Sequence, residues 1–118
     1  MNFFSHSASD FAAGVKVSRL PIVYALKTEG FEHVKIGKTC SPKQRFINIQ
    51  SGCPFELTLW MTIRTPKADE IERVLHQKLK HCRTRGEWFS PSESDLDYLL
   101  DFFSMTNASV KEAARALL

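Results

Sequence analysis

Residues 22–45 read IVYALKTEGFEHVKIGKTCSPKQR, and the architecture follows from how this stretch divides. Ile22-Val23-Tyr24-Ala25-Leu26 is a run of branched and aromatic residues without a polar break, the pattern of a buried strand. Val34-Lys35-Ile36 reads as a second strand, and Thr28-Glu29-Gly30 supplies turn chemistry between them, so the two are expected to pair as an antiparallel hairpin. Ser41-Pro42-Lys43-Gln44 has the grammar of a helix start: Ser41 as N-cap, Pro42 at the first helical position and Gln44 completing a capping box. The helix should end near Gln50, before Gly52 and Pro54.

Working outward, Leu57, Leu59, Met61 and Ile63 alternate with Thr58, Trp60 and Thr62, which predicts a third strand over 56–64 with one apolar face. Pro66 opens a second helix with Ile71, Val74, Leu75, Lys78, Leu79 and Cys82 along one side. Gly86-Glu87-Trp88-Phe89 reads as a short extended piece. Ser90-Pro91-Ser92-Glu93 repeats the capping-box pattern before Leu96, Leu99, Leu100 and Phe103, predicting a third helix, and Asn107 or Ser109 is expected to cap a fourth carrying Val110, Ala113, Ala114 and Leu117. Residues 1–20 show no sustained period and read as a loosely held arm with a short helical turn near Phe11. The fold class expected is α+β, a three-stranded antiparallel sheet flanked by helices, with a core domain over 21–90 and a C-terminal helical extension over 91–118 packed on it.

The chain has 118 residues, 43% hydrophobic and 11% aromatic, which suffices for one packed core and not for two. Its net charge is only +3, so affinity for polyanions must come from distribution. Lys35, Lys38, Lys43 and Arg45 fall in one window without acids, and Lys78, Lys80, Arg83 and Arg85 in another, whereas every charge from Gly86 to Asp101 is negative. Cys40, Cys53 and Cys82 are widely spaced, which argues against a disulfide framework or a structural zinc site. No stretch has the length of a membrane span or the pattern of a signal peptide, so a soluble, unexported cytoplasmic protein is expected.

Three groups stand out chemically. The turn Lys35-Ile36-Gly37-Lys38-Thr39-Cys40-Ser41 joins glycine, two lysines and a helix start, which suits a phosphate seat and equally suits an ordinary strand-to-helix connection. Arg45 lies beside the apolar stripe of Phe46 and Ile49, where its planar fork can either hold phosphate oxygens or snorkel along the core edge. Glu72 and His76 are neighbours at i, i+4 on the border of the second helix; spacing alone favours a hydrogen-bonded pair, while a hard carboxylate there also suits magnesium or manganese. Trp88 can stack on bases or help close the core, Phe89 reads as core, and Glu87 can be a second acidic group near a metal or a partner for an arginine, the second reading being favoured.

In order, Ile22-Val23-Tyr24, Lys35-Ile36-Gly37-Lys38-Thr39, Arg45, Glu72-Arg73-Val74-Leu75-His76 and Gly86-Glu87-Trp88-Phe89 resemble the motifs of the GIY-YIG nuclease superfamily. The resemblance is to the phage and bacterial branch with KIG in place of YIG and late ExxxH and GEWF motifs. It implies hydrolysis of a nucleic-acid phosphodiester assisted by one divalent ion, Mg2+ or Mn2+. By that resemblance Tyr24 matches the first motif tyrosine, Lys38 the basic residue after the glycine, Arg45 the helix arginine, Glu72 the metal ligand and His76 a histidine of this branch. Lys35 replaces the second motif tyrosine, and Ile49 stands where many members carry another.

The function expected is a metal-dependent endonuclease acting on single- or double-stranded DNA. Tyr24, Lys35, Arg45, Glu72 and His76 form its catalytic group, and Lys38, Thr39, Arg83, Arg85 and Trp88 contact nucleic acid. Candidate bases are Tyr24 with its pKa lowered by nearby cations, His76, and Lys35. The alternatives are a nucleic-acid-binding module of the same fold with weakened cutting, and a phage-type protein-interaction factor. With one short domain, weak sequence specificity is expected unless the protein forms a homodimer or the arm before Pro21 contributes.

Overall fold

Strand β1 (Ile22–Lys27) is the centre of the molecule: its first five residues are buried, because helices cover both faces of the sheet it lies in. The computed structural model describes residues 20–116, with side chains through 107, so the expected N-terminal arm lies outside the described residues except for Leu20. Strand β2 (Val34–Thr39) follows β1 through a 3-10 turn at Glu29–Phe31, where Gly30 takes φ of 75°. Helix α1 (Pro42–Ser51), strand β3 (Thr58–Arg64) and helix α2 (Ala68–Lys78) come next. Short strands β4 (Arg83–Arg85) and β5 (Trp88–Phe89) form a second hairpin, and helix α3 (Glu93–Ala116) ends the described chain.

Among the described residues the sheet is antiparallel and has five strands in the order β3-β1-β2-β5-β4, where three strands were expected. The expected three are its core. The added pair is only three and two residues long, too short for a period of two to show in sequence. Instead of two C-terminal helices there is one, continuous through Asn107 and Ser109. Its start is tied by Ser92 and Asp95, whose backbone N–H groups each donate to the other's side chain at 2.9 and 3.3 Å; the reciprocal box is therefore Ser92–Asp95 and not Ser90–Glu93. At α1, Ser41 makes no side-chain cap bond and Gln44 donates to Asn48 at 2.9 Å, so that expected box does not form.

The sheet divides the apolar residues into two layers. Val23, Ala25, Val34, Ile36 and Phe89 face α2 and α3, where Leu75, Leu79, Leu99 and Phe103 meet them. Ile22, Tyr24 and Leu26 face α1 and pack with Phe46, Leu57 and Leu59. Strand β3 contributes to both layers. Its pairing with β1 shifts between Ala25 and Leu26, leaving Trp60 as the extra residue, so Leu57 and Leu59 point to the α1 side while Met61 and Ile63 point to the other. The single apolar face expected for Leu57, Leu59, Met61 and Ile63 is thereby corrected. On α2, Leu75 and Leu79 are buried as expected, but Val74 and Lys78 are exposed and Cys82 lies beyond the helix in a 3-10 turn. Among the described residues no helix is long and apolar enough to cross a membrane.

Candidate active site

The two short strands leave part of β2 uncovered. β5 pairs only with Val34 and Lys35, and one residue further the Ile36 N–H donates to the Glu87 carbonyl at 3.0 Å. The carbonyl of Ile36 is taken by His76 of α2, whose Nε2–H donates to it at 2.8 Å. This fixes the histidine: if the ring is neutral, its lone pair lies on Nδ1. The ring is also held edge-on against Phe89, with centroids 5.2 Å apart. The i, i+4 hydrogen bond to Glu72 that the spacing favoured is not made, because the unpaired β2 carbonyl takes the donor instead.

Gly37 sits where several polar groups crowd together. A Cβ at this position would lie 2.5 Å from the Tyr24 hydroxyl oxygen and 3.0 Å from Glu87 Oε1, so only glycine leaves them room. Tyr24 is directly opposite Gly37 in the register, which delivers its ring to this spot. Phe46 meets that ring edge-on at 5.1 Å, and next to it on α1 the Arg45 Nε–H donates to the Tyr24 hydroxyl at 3.3 Å. Arg45 Nη2 also reaches Glu87 Oε1 at 3.6 Å, and Lys35 Nζ reaches the same oxygen at 3.1 Å. Glu87 thus pairs with an arginine as expected, and with Lys35 as well.

Glu72 joins this cluster from α2. Its carboxyl is held above the usual carboxylate range, first by burial and then by the negative charge of Glu87, against smaller opposing effects of His76 and Lys38. Its charge is also felt at Tyr24 and Arg45. Two carboxylate oxygens here, Glu72 Oε2 and Glu87 Oε1, are buried without a hydrogen bond among the described residues; the cations near Glu87 stand at ion-pair distance without hydrogen-bond geometry. Lys35 and Arg45 offset the charge of Glu87, whereas a buried carboxylate oxygen such as Glu72 Oε2 is costly unless positive charge approaches it. Two hard oxygen donors with spare lone pairs suit a divalent cation that keeps part of its water shell.

Tyr24 departs from one expectation. Burial raises its pKa above the ordinary phenol value, outweighing the opposing hydrogen bond and charge of Arg45, so the side chain stays a protonated phenol. The expected lowering by cations is corrected: Arg45 is close enough, but Tyr24 is fully buried. Lys35 is ion-paired with Glu87 at 3.1 Å.

The remaining named residues lie around this centre. Lys38 is paired with Asp69 of α2 at the exposed end of β2. The Thr39 hydroxyl accepts the Ser41 N–H at 3.0 Å and so braces the turn into α1. Arg83 and Arg85 are exposed on β4, and Trp88 is half-buried, with Lys35 Nζ 5.4 Å from its ring centroid. Beside the cluster, and sharing Lys35 and Arg45 with it, opens a cleft of about 530 Å³ that also includes Arg85, Trp88 and Phe55. The sequence offered no sign of it, since its wall is assembled from α1, the loop after it and both hairpins.

Among the described residues one other group has metal-ligand chemistry: His81, Cys82 and Asp95. Asp95 there is already bonded to Ser92 and, at 2.9 Å, to His81, which accounts for it as the anchor of α3.

A family model described as T5orf172 domain matches residues 21–117. No curated protein and no solved structure matches the chain.

Proposed function

The chain belongs to the T5orf172 domain family, a phage-associated domain, and from that premise we propose that it is a metal-dependent endonuclease hydrolysing phosphodiester bonds in DNA. The observation that carries this reading is the pair of unsatisfied oxygens, Glu72 Oε2 and Glu87 Oε1, beside the Arg45–Tyr24 hydrogen bond. The resemblance to GIY-YIG nucleases supports it, since Arg45 donates to the Tyr24 hydroxyl beside Gly37, the charge of Glu72 is felt at both, and His76 bonds the carbonyl of Ile36 next to Gly37.

Glu72 and Glu87 would hold Mg2+ or Mn2+. The ion, when bound, supplies positive charge to a scissile phosphate and its leaving oxygen. Arg45 contributes a fixed guanidinium, already aimed by Tyr24, that can donate to nonbridging oxygens as charge develops on them. Tyr24, as a buried phenol that already accepts from Arg45, still has its own proton to donate to a phosphate oxygen or a water. His76 has Nε2–H committed to Ile36, so Nδ1 is the ring atom that takes a proton from the attacking water. Lys35, held by Glu87, adds positive charge at the mouth of the cleft.

The test is digestion of single- and double-stranded DNA by purified protein in Mg2+ or Mn2+, beside chelated controls and the variants Glu72→Ala and Arg45→Ala. Cleavage by the wild type alone is expected. A second reading is favoured by Lys35, which stands where the resembling family has a tyrosine and is ion-paired with Glu87: a module that binds DNA without cutting it. Salt-sensitive binding without products would select that reading.

A further inference from the structure

The cleft beside Gly37 has a makeup that the hydrolytic cluster alone does not explain. Among the described residues lining it there is no carboxylate, while Lys35, Arg45 and Arg85 bring positive charge to it. Between the cations the wall is apolar and aromatic. Trp88 forms part of it, and Phe55, at 59% exposed the most open aromatic ring among the large hydrophobics, stands in the loop between α1 and β3. Asn48 adds an amide from the exposed side of α1. Aromatic surface, a side-chain amide and cations without acids complement a nucleotide: a flat base with hydrogen-bonding edges, linked to anionic phosphates.

We propose that this cleft receives one unstacked nucleobase against Phe55, which makes single-stranded DNA, such as an overhang, flap or loop, the preferred substrate class. The inference rests on the hydrolytic reading above, because Arg45 and Lys35 belong to both the cleft and the cluster, so a base seated here puts its own phosphate beside these two cations and Glu87. A base within a duplex has both faces stacked and its edge paired, and it enters a recessed pocket only by being extruded at a cost of unpairing and unstacking. A single strand does not bear that cost.

Binding is read with chelator present, so that no hydrolysis occurs, from the fluorescence of Trp88 in a Trp60→Phe background; Trp60 packs against Phe31, among residues outside the cleft lining. The ligands are an oligothymidylate, a blunt duplex of equal length, and an abasic oligonucleotide that keeps the phosphates and lacks the bases. The oligothymidylate is expected to bind at least about tenfold more tightly than the duplex. Phe55→Ala is expected to weaken it about tenfold and to leave the abasic strand unaffected, while Phe55→Tyr, which keeps a ring, retains binding. Because Phe55 is exposed, these changes leave the core intact, and an unchanged melting temperature checks this.

Equal affinity for duplex and single strand, an abasic strand bound as tightly as oligothymidylate, or indifference to Phe55→Ala would overturn the proposal. A parallel digestion in Mg2+ separates the two readings. Base-dependent binding without products keeps the cleft and removes the nuclease. Digestion insensitive to Phe55→Ala keeps the nuclease and removes the cleft, and no binding of any DNA removes both.

Discussion

The two faces of the sheet are built on opposite terms. On the α2 and α3 face, Val23, Ala25, Ile36, Leu75, Phe89 and Leu99 are sealed from solvent and bury little that is polar. On the α1 face the apolar layer is interrupted at Gly37 by a phenol, a guanidinium, an ammonium and the Glu87 carboxylate, and the charge of Glu72 reaches this cluster from α2. The first face stabilises the fold. The second holds unfavourable electrostatics in place, which a rigid first face makes possible. That division is the common arrangement of a binding or catalytic centre on a packed scaffold, where local cost is offset elsewhere.

Substitutions should separate the faces. The largest effect is expected for Phe89→Ala, which empties a fully buried site between α2 and the sheet and should cost about 3–5 kcal/mol in chemical denaturation. If it costs under about 1 kcal/mol, the sealed face is not what holds the fold together. Arg45→Ala comes next and inverts the pattern. Its side chain is 43% exposed, so stability should change little, while the cleavage rate should fall by roughly 10²–10³, the loss typical for one donor to a developing charge. Gly37→Ala blurs the distinction, since the added methyl meets the Tyr24 ring. Overpacking should cost about 1–3 kcal/mol, and displacement of Tyr24 and Glu87 should reduce activity as well.

The smallest effect is a pH dependence. The carboxyl of Glu72 has a folded-state pKa above its unfolded value, so between the two values the folded chain binds more protons and stability falls as pH rises. The metal-free protein should therefore lose stability as pH climbs from below the ordinary glutamate range to beyond the raised value. Glu72→Gln should flatten that part of the profile in thermal melts, and a wild-type curve that rises throughout the window would contradict the electrostatic picture.

Much of this arrangement was legible in the residues. The unbroken apolar run Ile22–Leu26 announced a buried strand, and Pro42 marked the start of α1. Trp60 defeated the reading of β3, because a bulge is defined by the partner strand and alternation simply continues through it. Asn107 and Ser109 read as caps, yet neither residue type compels a helix to stop. At the site, Tyr24, Arg45, Glu72 and His76 were named from ordered motifs and are found together. What the residues could not convey is burial: the raised pKa of Tyr24 depends on its enclosure, and the unsatisfied oxygen of Glu87 depends on a turn at Gly86, with φ of 55°, that brings it over Gly37. The cleft was hidden for the same reason, since Asn48, Phe55 and Trp88 are distant in sequence.

Calorimetric titration of Mn2+ into the wild type, Glu72→Gln and Glu87→Gln goes straight to the shared carboxylates. One site is expected in the wild type, with each single substitution weakening it strongly and the metal raising the melting temperature of the wild type alone. Heat of binding that is the same in all three proteins, or absent from the wild type at millimolar metal, would mean that the two carboxylates do not form a cation site.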